Sequence, residues 1–276
     1  KIHTSYNQTV TATGRLSSSN PNLQNIPIRD ELGKEMRKVF GVNEGEYFLS
    51  ADYSQVELRI MAHLAQDENM IEAFNNGEDI HKQAASKVFE IPMDEVTKEQ
   101  RSNAKAVNFG IVYGQSKYGL AKSLNISNTE AQEFIDKYFE SYPNVKKYME
   151  DKKQFANLNG YVETIFGRKR YLSAELLSPN FQIREFAQRA AINQPLQGTA
   201  ADLIKMAMIE VDKQLAEQNL KTKMIMQVHD ELVFEVPKSE LETVKELVLK
   251  AMELNQPLNV PLIEVTPSGI LILVRE

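Results

Sequence analysis

At 276 residues, with 42% hydrophobic residues and few Gly and Pro, the chain is long enough for about two packed domains or one large one and too apolar to stay disordered. A formal charge of −6 argues against a protein that coats nucleic acid through a uniformly basic surface. The absence of cysteine excludes disulfides and thiolate zinc sites, which leaves oxygen ligands and hard cations as the expected metal chemistry.

Residues 1–30, rich in Thr, Ser, Asn and Pro, read as extended or loop structure, and a short helix is predicted from about Asp30 to Phe40. A strand over Tyr47–Asp52 leads into a helix over Gln55–Ala65, whose Val56, Leu58, Ile60, Met61 and Leu64 predict burial around much of its circumference. Helical spacing follows over Glu68–Asn75, Asp79–Phe89, Lys98–Tyr113, Thr129–Tyr142 and Asn144–Asn157, with Asp79 and Thr97 as N-caps. Strand character returns at Tyr161–Phe166. A long helix over Phe181–Gln218 should kink at Pro195, which lacks a donor and crowds the preceding turn. A hairpin over Met224–Val236, a helix carrying Leu241, Val244, Leu247, Val248, Ala251 and Met252 on one side, and two short strands complete the pattern. The expected class is α+β: an antiparallel sheet built from discontinuous sequence, packed helices, and an inserted all-helical subdomain. No apolar stretch approaches the length needed to span a bilayer, about 18 residues, and no secretory leader opens the chain, so a soluble cytoplasmic protein is expected. The chain begins with Lys1 rather than Met, and a fragment or processed piece is expected.

Two apolar strand-like runs each deliver an acid to a strand end, Asp52 and Asp230. Carboxylates fixed on rigid strands suit the binding of two divalent cations, one activating an attacking oxygen and the other stabilising a leaving one. Taken alone, His229-Asp230-Glu231 reads first as an Asx-type turn. The helix between the two runs weakens that reading. It places Arg101, Lys105, Phe109 and Tyr113 at four-residue steps, a slowly drifting face that rises about 6 Å per step and matches a polyphosphate with a sugar and base beyond it. A plain amphipathic helix would also carry cations and aromatics, but Val107, Ile111 and Val112 already supply apolar positions off this face. Arg168, Lys169 and Arg170 form a second basic cluster that reads equally as a solvated face.

These residues resemble family A DNA polymerases, the bacterial DNA polymerase I group, across nearly the whole chain. Asp52-Tyr53-Ser54-Gln55-Val56-Glu57-Leu58-Arg59 is similar to motif A of that family, Arg101–Gly114 to motif B, and Val228-His229-Asp230-Glu231 to motif C. Thr13–Ser18 and Asn22–Pro27 resemble its DNA-contacting start of the palm, and Asn193–Thr199 its template-side helix. The resemblance implies a palm over 1–66 and 161–276, fingers over 67–160, and the absence of thumb and exonuclease domains. The thumb would then be supplied by another chain or have been removed.

The resemblance further implies two Mg²⁺ ions held by Asp52, Asp230 and the Tyr53 carbonyl, with Glu231 in support. Arg101, Lys105 and His81 would grip the triphosphate of a dNTP, Lys105 also donating a proton to pyrophosphate; His81 alone reads equally as a helix-surface histidine. Gln55, Glu57, Phe109 and Tyr113 would complete the nucleotide pocket, Glu57 and Tyr113 rejecting a 2′-hydroxyl and Phe109 disfavouring dideoxynucleotides. Arg15, Asn193, Gln197 and His229 would contact the primer-template DNA, in whose minor groove every correct pair offers acceptors. Without the resemblance, Asn193 and Gln197 read first as helix-interruption residues around Pro195, their side chains satisfying freed backbone groups. Residues 266–276 depart from the usual Gly-rich, Trp-containing end of the family. The implied activity is template-directed DNA synthesis, in a cytoplasmic, nucleoid-associated enzyme with no membrane partner. Its rivals are a two-metal nuclease or phosphohydrolase, and a DNA-binding fragment inactive without its thumb.

Overall fold

The computed structural model describes residues 1–27, 31–253, 258–262 and 273–275. In chain order, β1 (Ser5–Asn7) and β2 (Ser17–Ser19) form a small antiparallel ladder, and α1 (Glu31–Lys38) precedes β3 (Glu46–Asp52). Helices α2 (Val56–Ala65), α3 (Glu68–Asn75), α4 (Ile80–Phe89), α5 (Lys98–Val112), α6 (Lys117–Leu124), α7 (Asn128–Ser141) and α8 (Pro143–Asn159) follow. The hairpin β4 (Tyr161–Glu163) and β5 (Lys169–Tyr171), the short α9 (Ser173–Leu176) and the long α10 (Phe181–Glu217) come next. The chain then forms β6 (Lys223–Val228), β7 (Glu231–Pro237), α11 (Leu241–Glu253) and β8 (Leu273–Arg275). The class is α+β, as the residue pattern predicts.

The chain divides into two compact units. One comprises Lys1–Val56, Ala200–Gln256 and Leu262–Glu276; the other comprises Glu57–Thr199 and Pro257–Pro261.

The first unit is organised by an antiparallel sheet of order β6-β7-β3-β8. Alternation in β3 and β7 turns Leu49, Ala51, Leu232, Phe234 and Val236 into the core. Helix α11 packs on both strands and buries Val244, Leu247, Val248, Ala251 and Met252, its predicted apolar side. Each buried Val, Leu or Met side chain among them contributes about 1.5–3 kcal/mol when removed from water.

The second unit is helical apart from the β4–β5 hairpin. Helix α4 packs on α5 and α7 through Ile80, Ala84 and Val88, and α5 contributes Ala104, Val107 and Ile111. Both predicted N-caps form: Asp79 accepts from two backbone N–H groups of α4, and Thr97 makes a reciprocal capping box with Gln100. The hairpin places Val162 and Leu172 with Ala156, Ala190 and Ala191 in a second small core.

Three local differences from the sequence expectation stand out. Helix α6 falls in a stretch with Gly119 and two lysines, too short and too weakly apolar to show a period, although Ser116 caps it. Strand character at Tyr161–Phe166 ends at Glu163, and the partner strand is the basic Lys169–Tyr171, whose lack of alternation hides it. Where the first of the two short strands after the last helix is expected, Val260 and Leu262 are buried but irregular, and residues 263–272 lie outside the described residues.

Candidate active site

Strand register fixes the acidic residues of the first unit. While Leu49 and Ala51 face the core, the β3–β7 pairing sets Phe48 opposite Glu235, Ser50 opposite Val233 and Asp52 opposite Glu231 on the other face. A slip of one residue would carry both carboxylates into the core, so burial of the apolar set enforces their position. Ser50 Oγ, diagonally adjacent, donates to Glu231 Oε1. This open face borders a groove of about 1050 Å³ lined in part by Tyr6, Phe48, Ser50, Glu231, Val233 and Glu235.

Asp230 occupies the two-residue turn between β6 and β7. The preceding His229 has φ +55°, a left-handed conformation that costs a non-glycine residue about 1 kcal/mol. The turn is braced from several sides. Tyr53 N donates to Asp230 O at 3.1 Å, and the buried Tyr53 hydroxyl donates to Met252 O at 2.7 Å. Tyr6 Oη donates to Gln227 O at 2.9 Å and accepts from Gln227 N at 3.0 Å. Gln24 Nε2 donates to Gln227 O and Oε1 at 3.2 and 3.0 Å, and Gln227 Nε2 donates to His229 O. Gln227, Tyr6 and Ser50 were not singled out from the sequence. The one signal is Gln227, a polar residue inside the otherwise apolar run Met224–Val228, where it is buried.

The electrostatics of these acids are those of crowded like charges. Asp52 is pushed up to about 7 by burial, then by the charges of Glu231 and Asp230, against a lowering hydrogen bond from the Tyr53 backbone. Burial also raises Asp230, opposed by the charges of Arg15 and His229. Arg15 Nη2 stands 3.6 Å from Asp230 Oδ1. Such a cluster of ionisable oxygens suits a divalent cation, which reverses the mutual repulsion. Among the described residues, however, no three Asp, Glu or His side chains are gathered as a finished metal cage.

The second unit holds the expected cationic row. Phe109 and Tyr113 stack with centroids 6.2 Å apart, and Lys105 Nζ lies 5.9 Å from the Phe109 centroid. Arg101 Nε donates to Asp79 Oδ2 at 2.6 Å, while Asp79 Oδ1 caps α4 through His81 N and Lys82 N. Asp79 therefore joins the N-terminus of α4 to the first residue of the row. His81 is buried rather than on the helix surface, 5.7 Å from Phe109 between ring centroids, and its Nδ1 lies 2.9 Å from Asn108 Nδ2. Burial lowers its pKa to about 4, with the charges of Arg101 and Lys105 adding to that effect and Asp79 opposing it.

The remaining expected residues are divided between the two units. Glu57 is buried at the start of α2. Gln55 precedes that helix in the first unit with φ +56°. Asn193 Nδ2 donates to Tyr113 O at 3.3 Å, which ties α10 to the end of the row; Gln197 is half-buried and His229 exposed.

The sheet of the first unit presents paired carboxylates, and α5 of the second carries a row of cationic and aromatic side chains. The chain belongs to DNA polymerase family A, whose model matches residues 1–269. It is 53% identical over 270 residues to DNA polymerase I of Caldicellulosiruptor bescii, covering 98% of this chain and 32% of the relative. It is 54% identical over 263 residues to DNA polymerase I of Bacillus subtilis, covering 95% and 30%. Among solved structures, the POL domain of Pol1 from M. smegmatis in complex with DNA primer-template and dNTP superposes with a TM-score of 0.91 at 51% identity, covering 95% of this chain and 46% of that one. The chain thus spans about a third of the length of these curated relatives. Among the described residues no helix is long and apolar enough to cross a membrane. The family uses divalent metal ions.

Proposed function

We propose that this chain carries out template-directed DNA synthesis, transferring a deoxynucleotide from dNTP to a primer 3′-hydroxyl with release of pyrophosphate. The observation that carries this reading is the β3–β7 register, which holds Asp52 opposite Glu231 while the turn of the same sheet holds Asp230 against Tyr53 N. The similarity of the chain to a polymerase domain that binds primer-template and dNTP supports it.

In this reading the sheet serves as palm and the helices of 67–160 as fingers. Asp52 and Asp230, with the Tyr53 carbonyl, hold two Mg²⁺ ions, and Glu231 supports them. When bound, the ions lower the pKa of the 3′-hydroxyl and offset charge on the departing pyrophosphate. Arg101, Lys105 and His81 hold the triphosphate: Arg101 forks onto terminal oxygens and Lys105 acts as a point charge that can return a proton to pyrophosphate. Phe109 and Tyr113 offer a stacked aromatic surface to sugar and base, and Gln55 and Glu57 line the sugar side. Arg15, Asn193, Gln197 and His229 hold the primer-template. A cytoplasmic, nucleoid-associated location follows from that substrate, and the thumb of longer relatives would add grip on the duplex.

Primer extension with dNTP and Mg²⁺ tests the reading. Asp52→Ala and Asp230→Ala should each reduce extension by at least about 10³-fold, the scale set by losing one charge-stabilising contact in a water-poor site. Pyrophosphate release without primer-template, or hydrolysis of DNA in place of extension, would instead identify a two-metal hydrolase.

A further inference from the structure

Asn108 lies on α5 but off the row of Arg101, Lys105, Phe109 and Tyr113, and it is fully buried. Its Nδ2 stands 2.9 Å from Nδ1 of His81, 27 residues earlier in the chain. Its Oδ1 finds no hydrogen-bond partner among the described residues. Leaving a buried acceptor unsatisfied is costly, and an apolar residue of similar size would avoid that cost. Packing alone therefore gives no reason for an amide at this position, whereas its contact with the imidazole does.

An amide N–H can only donate, so the His81 Nδ1 that receives it must present a lone pair. A neutral imidazole with its lone pair at Nδ1 carries its proton at Nε2. The ring is neutral near pH 7, because burial and the charges of Arg101 and Lys105 outweigh Asp79. Asp79 holds the start of α4 through His81 N, which fixes the backbone that carries the ring. Phe109 packs against the same imidazole.

We propose that Asn108 is a positioning residue that locks His81 in the Nε2–H tautomer, so that the imidazole offers a neutral N–H donor to a phosphate oxygen of the incoming nucleotide. The phosphate half of this inference rests on reading His81 as a triphosphate ligand; the tautomer half does not. Arg101 and Lys105 supply formal charge to the same ligand, and a neutral N–H adds direction without a third desolvated cation.

The test is a long-range ¹⁵N–¹H correlation spectrum of the full chain at neutral pH. The His81 ring is assigned among the four histidines by the signals lost in His81→Gln. The expected wild-type result is a proton on Nε2 and a bare Nδ1; a proton on Nδ1 would overturn the proposal without any variant at Asn108. Asn108→Asp, nearly isosteric, places an acceptor where the amide N–H stood and should move the proton to Nδ1. An unchanged tautomer would count against the lock. Titration with dNTP should show Kd raised about tenfold in Asn108→Asp, and Asn108→Gln should restore part of the loss if it restores the Nε2–H signal. Weakened binding with the wild-type tautomer intact would overturn a positioning role. Failure of the wild-type chain to bind dNTP would remove the phosphate half together with the functional reading, while the spectrum alone decides the tautomer.

Discussion

Asp52 stands directly opposite Glu231 across the β3–β7 ladder, at the end of one strand and the start of the other. With Asp230 also acting on it, Asp52 is pushed from 3.8 to about 7 by burial first and like charge second. In folded protein the group binds its proton more tightly than in the unfolded chain. Stability without divalent metal should therefore fall as pH rises from about 4 through 7, since the unfolded state then holds fewer protons than the folded one. Addition of Mg²⁺ at about ten times its Kd should contribute about 1.4 kcal/mol at pH 8, seen as a rise of about 3–5 °C in melting temperature, and much less at pH 5. Asp52→Asn should raise the metal-free melting temperature at pH 8 and abolish the Mg²⁺ increment. Thermal scans at the two pH values decide this; an equal increment at both would contradict it.

Arg15 faces Asp230 at 3.6 Å, and both side chains are about a quarter exposed. Its charge opposes the burial that raises Asp230. Removing it in Arg15→Ala should raise the Asp230 pKa further and move the acidic limb of the pH–rate profile for single-nucleotide extension to higher pH. Arg15→Lys should restore the limb more than the rate, because a point charge keeps the potential but loses the planar fork. A rate loss with an unmoved limb would show that Arg15 acts on DNA alone.

Asp79 divides its two oxygens between capping α4 and holding Arg101. Burial works to raise its pKa, but the Arg101 and Lys82 hydrogen bonds and the Arg101 charge bring it below the ordinary value. A carboxylate with a depressed pKa contributes stability above its unfolded value that is lost as pH falls through the folded one. The pair is more than a third exposed, so screening limits its strength to about 1 kcal/mol or less. Asp79→Asn keeps the capping oxygen and loses the charge. Its melting temperature at pH 7 should change little, while KM for dNTP rises about 2–5-fold because Arg101 is no longer held. Steady-state kinetics with a fixed primer-template would show it; a change in kcat alone would not fit.

The parts of this protein that could be read from the chain were those governed by local periodicity. Alternation around Leu49 and Phe234 predicted β3 and β7 and therefore the end position of Asp52, and the four-residue steps of α5 predicted its cationic row. Asp79 and Thr97 announced their helices because a cap satisfies donors within one turn of itself. What stayed hidden depends on side chains brought together over long separations. Ser50 reaches Glu231 across 181 residues, Tyr6 reaches Gln227 across 221, and Asn108 finds His81 across 27. No period encodes such pairs. His81 was equally readable as a surface residue because its burial comes from packing between α4 and α5, which the sequence of α4 alone does not contain.

Tyr6 supplies the last prediction, because it supports the site without carrying chemistry. Its hydroxyl satisfies both the carbonyl and the N–H of Gln227, two residues before the strained His229. Burial raises its pKa, opposed by the Gln227 hydrogen bond, so it stays protonated and able to donate throughout the neutral range. Tyr6→Phe removes both bonds and leaves two backbone groups of β6 without that partner, which should cost about 1–3 kcal/mol in urea unfolding. Gln227→Leu should cost a similar amount by releasing Gln24 and the His229 carbonyl. The two changes share one backbone segment, so their effects should fall short of additive by about 0.5 kcal/mol or more. If the brace matters to the turn, Tyr6→Phe should also weaken Mg²⁺-dependent stabilisation, since Asp230 would then sit on a looser hairpin. Strict additivity with an unchanged Mg²⁺ increment would reduce Tyr6 to a packing residue.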